Sequence, residues 1–118
     1  MSYIQKRIRA FKYAFMGIGR LFSGEAHAKI HLVAAICVIA AGFIFHISRW
    51  EWCAVILCIG GVFMAEAFNT AIEKLADRIT KDRDPLIGAA KDVAAGAVLL
   101  FVLASIATGL IVFLPYLL

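Results

Sequence analysis

The chain has 118 residues, 64% of them hydrophobic and 17% charged, with a formal net charge of +4. Soluble domains are about 45–50% apolar and, when small, leave much of their surface in water, so the composition excludes an ordinary soluble domain and makes lipid the better solvent. The positive charge is too small and too dispersed for a nucleic-acid partner, and no basic stripe interleaves with aromatics.

Residues 3–22 read as an amphipathic helix. Ile4, Ile8, Phe11, Phe15, Ile18 and Phe22 recur at spacings of three and four, while Lys6, Arg9, Lys12 and Arg20 fall mostly off that stripe. Such a helix lies in the membrane interface with its apolar face down. Ser23-Gly24 punctuates its end. No long apolar core with a small-residue cleavage site follows the basic start, so a signal peptide is not expected.

A first membrane span is predicted over 30–47, just long enough for a hydrocarbon core of ~30 Å. Ser48-Arg49-Trp50-Glu51 is expected to form a minimal loop, with Trp50 and Trp52 at the membrane–water boundary and His46 beside them. A second span covers 52–72 and continues as a helix to about Ile79. Thr80 to Pro85 reads as a charged turn, and Pro85 suits the first turn of a new helix. The third span covers 93–113, with Pro115 ending it. Residues 73–92 are then a cytoplasmic helix extension and loop. Eleven of the twelve basic residues lie in the first 29 residues or between Glu73 and Asp92. Basic residues stay inside, so these two regions are expected in the cytoplasm and the Arg49 loop and C-terminus outside.

The small pairs Gly61/Ala65, Ala67/Ala71, Ala90/Ala94 and Ser105/Gly109 let helix backbones approach in lipid. Three spans enclose little volume for a polar site, so a homo-oligomer with sites completed between chains is expected. Cys37, Cys53 and Cys58 match no zinc spacing and read as packing or lipid-facing residues. His27 and His31 lack the glutamate a zinc protease needs between them, and read as interfacial or phosphate-contacting.

Glu66, Asn69, Glu73 and Asp77 share one helix face. An acid at bilayer depth costs about 2.5–3.5 kcal/mol on insertion scales, so the stripe points to function. Acids on one face repel unless cations sit between them. Mg²⁺ suits hard carboxylate oxygens and arrives with phosphates attached. Lys91, at the same boundary with Asp92, suits a phosphate contact, and Glu25 lies at that level too. Such a layout fits a reaction between Mg-polyphosphate and a hydroxyl anchored in lipid. Glu66, the deepest acid, is best placed as the base. The alternative is a small channel or transporter subunit whose acid stripe lines a cation path. That needs acids spread through the bilayer depth, whereas these gather at one end.

Glu66-Ala67-Phe68-Asn69-Thr70-Ala71-Ile72-Glu73, then Asp77, then Ala90-Lys91-Asp92-Val93-Ala94-Ala95-Gly96-Ala97-Val98-Leu99 resembles the prokaryotic diacylglycerol kinase family. The Asn69–Glu73 run, the Ala94–Leu99 run and the ending Gly109–Pro115 look more like its undecaprenol kinase branch. The resemblance implies an all-α integral membrane protein, a surface helix plus three transmembrane helices in a homotrimeric bundle, in a bacterial inner membrane. It implies ATP and a lipid alcohol, undecaprenol or diacylglycerol, as substrates and Mg²⁺ as cofactor. It implies Glu66 as base with Asn69 supporting it, and Glu25 and Glu73 as metal ligands. Nucleotide contacts would come from Lys6, Tyr13, Asp82, Arg83, Asp84, Lys91 and Asp92, beside Asp77 on the acid stripe. The chain departs from many relatives at Asp84, where they have His, and at Lys29, where they have Arg.

Overall fold

The computed structural model describes residues 1–24 and 26–118. Among them the chain forms four helices: α1 Tyr3–Gly24, α2 Ala26–Phe45, α3 Arg49–Ile79 and α4 Pro85–Leu117. Each boundary has a local chemical cause. Ser2 and Gln5 make a reciprocal capping box at the start of α1, Gln5 N–H donating to Ser2 Oγ and Ser2 N–H to Gln5 Oε1. The expected α1 is present two residues longer than its apolar stripe.

α2 ends earlier than the predicted span, at Phe45 rather than Ile47. The chain turns through His46 in the left-handed region, at φ 52°. Ile47 N–H donates to Gly42 O and His46 N–H to Phe43 O, a Schellman ending in which histidine stands where glycine is usual. Ile47 is thereby tucked under the helix end and buried.

The expected loop Ser48–Glu51 is likewise corrected. Ser48 is an N-cap and Arg49 already helical, because Glu51 N–H donates to Ser48 Oγ and Ser48 N–H to Glu51 Oε1. At the other end α3 stops at Ile79, as the turn chemistry predicts. Asp84 caps α4, its Oδ1 accepting from Leu86 N–H at 2.9 Å and Ile87 N–H at 3.1 Å. Pro85 occupies the first turn.

Pro115 does not end α4, which runs on to Leu117. Proline costs the helix one donor, the one that would serve Ile111 O. So near the terminus, the final turn still closes through Leu118 N–H to Leu114 O.

α2, α3 and α4 are each long and apolar enough to cross a membrane; the chain is a multi-pass membrane protein. At ~1.5 Å per residue the 31 residues of α3 reach roughly 45 Å, beyond a ~30 Å hydrocarbon core. That surplus is enough for the charged C-terminal turns of α3 to extend beyond a core of this thickness.

The helices form a slab of 51 × 44 × 21 Å. α3 and α4 pack along their length and α2 leans on α3, while α1 touches α2 and α3 more lightly. The densest packing is at the Ser48 end, where Ile47, Val55 and Val112 are buried among Val38, Phe45, Trp52, Ile59 and Phe113. Phe43 meets Trp52 at 4.9 Å and Phe45 stacks on Tyr116 at 6.0 Å. Midway, the small residue Gly61 receives the Phe101 ring, so the close approach of α3 and α4 is filled by an aromatic. α1 is held by its last turns, through buried Leu21 and an edge-on contact of Phe22 with Phe63 at 5.1 Å. Large apolar residues such as Leu57, Leu100 and Ile111 stay exposed, as lipid-facing positions do.

Candidate active site

The acid stripe of α3 divides into two parts. The deeper part is Glu66, only 4% exposed. Its Oε1 lies 3.2 Å from Nε2 of His31 on α2. Among the described residues this is the only hydrogen bond to its carboxylate. One turn along, Asn69 buries Oδ1 with no hydrogen-bond partner among the described residues, and the neighbouring Thr70 Oγ1 is in the same state. Buried polar atoms are nearly always satisfied, so both acceptors have hydrogen-bonding capacity that the described residues leave unused.

The shallower part lies two turns further on, roughly 10 Å along the helix at ~1.5 Å per residue. Here Lys91 of α4 bridges to α3, its Nζ 2.7 Å from Asp77 Oδ1 and 3.5 Å from Glu73 Oε2. The Lys91 hydrogen bond holds the Asp77 carboxyl below the usual carboxylate range. Conversely, the bond to Asp77 raises the Lys91 ammonium above its ordinary value. Glu73 keeps most of its acceptor capacity, with one long contact to Lys91 and a half-exposed side chain. Beside this cluster, a surface cavity of about 280 Å³ is bounded by Asp82, Arg83, Asp84, Gly88 and Lys91. The Asp82 N–H donates to Thr80 Oγ1, which tightens the turn.

Glu66, Asn69, Glu73 and Asp77 follow one face of α3, Lys91 of α4 joins them at Glu73 and Asp77, and Asp82, Arg83 and Asp84 lie in the turn beyond. One oxygen of Asp84 is committed to capping α4. Asp92 is exposed next to Lys91. Lys6 and Tyr13 are exposed on α1, and no hydrogen bond or ion pair among the described residues links them to this cluster. Glu25 lies outside the described residues. No group of three or more His, Cys, Asp or Glu among the described residues is arranged to hold a metal.

Sequence reasoning read His31 as interfacial or phosphate-contacting and missed it as the partner of Glu66. A signal was present: His31 is an ionisable residue inside an apolar span, and such residues pair with one another.

Compared with known proteins, the chain matches the family model described as prokaryotic diacylglycerol kinase over residues 12–113. It is 41% identical to the undecaprenol kinase of Bacillus subtilis (strain 168) over 95% of this chain and 91% of that protein. It is 33% identical to a diacylglycerol kinase of Synechocystis over 92% of this chain and 63% of that protein. A diacylglycerol kinase of Pseudomonas aeruginosa is 29% identical over 80% of this chain and 76% of that protein.

Proposed function

The chain belongs to the prokaryotic diacylglycerol kinase family and is a membrane lipid kinase, and on that premise we propose that it transfers the γ-phosphoryl group of Mg·ATP to a lipid hydroxyl, undecaprenol in preference to diacylglycerol. The higher identity to a relative named undecaprenol kinase, over nearly its whole length, supports that preference. The observation that carries the reading is a buried carboxylate, Glu66, on the same helix face as an exposed cluster of two carboxylates and a lysine. One end of this face suits a hydroxyl that cannot leave the lipid, and the other suits a polyphosphate that cannot enter it.

In this scheme Glu66 accepts the hydroxyl proton as the lipid oxygen bonds to the γ-phosphorus and the bond to the ADP oxygen breaks. Lys91 exchanges part of its pairing with Asp77 and Glu73 for the phosphates. Glu73, with acceptor capacity to spare, and Glu25 would hold Mg²⁺, which binds through one or two carboxylates plus phosphate oxygens and offsets the developing charge. The unsatisfied Asn69 Oδ1 would be met by the substrate or by a second chain. A homotrimer with sites shared between chains accounts for the thin slab and for Lys6 and Tyr13 standing apart from the cluster. α1 would lie on the cytoplasmic surface of a bacterial inner membrane, with residues 73–92 inside and the C-terminus outside.

Transfer of label from γ-labelled ATP to undecaprenol or diacylglycerol in mixed micelles tests this. The wild-type chain labels undecaprenol faster than diacylglycerol, and Glu66→Gln folds but loses at least about 1,000-fold in turnover. A Glu66→Gln chain that keeps most of its rate rules out the base assignment. Ion flux into liposomes without ATP, and no lipid labelling, would support a channel instead.

A further inference from the structure

The Glu66 carboxylate uses only one of its oxygens within the described residues: Oε1 is hydrogen-bonded with His31 Nε2, 3.2 Å away across the α2–α3 interface. A carboxylate that is to act as a base is acceptor-only, so with Glu66 in that role the contact requires the tautomer of His31 with its proton on Nε2. His31 is itself largely covered, with about a fifth of its side chain accessible. It also lines an apolar cavity of about 240 Å³ between α2, α3 and α4, together with Ala35, Val62, Phe63 and Ser105. A glutamate has three rotatable side-chain bonds, and nothing else among the described residues holds this one. From these contacts we infer that His31 is a positioning residue for phosphoryl transfer: its imidazole pins the Glu66 carboxylate through Oε1 and leaves Oε2 to take the proton of the lipid hydroxyl.

The inference rests on the reading of Glu66 as base. The proton path balances without a further reactant. The hydroxyl proton moves to Oε2, the oxygen–phosphorus bond forms, ADP leaves, and His31 keeps its own proton throughout. The histidine acts by fixing an atom's place, and small misplacements of a catalytic group cost about 100-fold in rate.

The test compares wild type, His31→Ala, His31→Gln and Glu66→Gln as purified full-length chains in mixed micelles with undecaprenol and Mg·ATP. His31→Ala is expected to lower kcat about 10- to 100-fold while KM for Mg·ATP stays within about twofold. His31→Gln, which keeps an N–H donor, recovers most of that loss. Added imidazole restores activity to His31→Ala but not to Glu66→Gln, and the double variant is no slower than Glu66→Gln alone. If His31→Ala keeps wild-type kcat while Glu66→Gln is silent, the positioning role is overturned and the base assignment stands. If His31→Ala and His31→Gln lose equally and imidazole restores neither, the contact serves packing only and the inference is overturned. If Glu66→Gln turns over normally, the base assignment falls first, whatever His31 does.

Discussion

In the proposed scheme single residues on the acid stripe carry the chemistry, and their surroundings differ in kind. Glu66 is enclosed and faces an imidazole, whereas Asp77 and Glu73 share one partly exposed ammonium, Lys91. On the proposed roles, removing Lys91 should strike phosphate binding more than proton transfer. Lys91→Ala should raise KM for Mg·ATP about 10- to 100-fold, the worth of a charge-assisted hydrogen bond of ~1.5–3 kcal/mol, with KM for the lipid little changed; steady-state kinetics with each substrate varied would check this. The stripe itself was legible because helical spacing alone puts Glu66, Asn69, Glu73 and Asp77 on one face. For the His31–Glu66 bond the sequence holds only the hint of an ionisable residue in an apolar span, since the pairing itself depends on how α2 leans on α3, which no local pattern encodes. Lys6 and Tyr13 show the opposite limit. Their predicted roles came from resemblance, and the described contacts of a single chain do not bring them to the cluster.

Helix ends and helix contacts set where these residues sit. The apolar spans were readable from length and composition, but their ends were not wholly so. The Trp50-bearing segment read as a boundary loop, yet the Ser48–Glu51 capping box makes it the first turn of α3. Ser48→Ala should cost about 1 kcal/mol, seen as a lower midpoint in reversible unfolding in micelles. Between α3 and α4, a Cβ at Gly61 would lie 2.0 Å from the Phe101 ring. Gly61→Ala should therefore destabilise by about 1–3 kcal/mol through overpacking, and Phe101→Leu in the same chain should recover part of it, measured as a double-mutant cycle.

The Asp77–Lys91 link also ties α3 to α4, on helix extensions beyond the apolar stretches 52–72 and 93–113. Asp77 is shifted down, so its contribution is present above the unfolded carboxyl value and lost as pH falls through the lowered one. Lys91 is shifted up, so its contribution is present below the unfolded ammonium value and lost as pH rises through the raised one. The stability advantage of wild type over Lys91→Met should accordingly be flat around neutrality and shrink in strong acid and strong alkali.

The whole molecule is polarised from one end of its helices to the other. One end is closed by aromatics, by Ile47 and by the Tyr116 hydroxyl donating to Glu51. The other end carries the acid stripe, Lys91 and the charged turn at 80–84. In a slab this thin, with so few buried side chains, its own core supplies only part of the stability, and contacts made in the lipid must supply the rest. The kinase reading requires that the charged end face the compartment that holds ATP. Sidedness is measured directly with Lys81→Cys and, separately, Arg49→Cys, each in a chain whose natural cysteines are replaced by alanine, using an impermeant maleimide on intact spheroplasts. The account predicts that position 49 is labelled at once and position 81 only after lysis. Labelling of position 81 in intact spheroplasts would put the acid stripe out of reach of cytosolic Mg·ATP and contradict it.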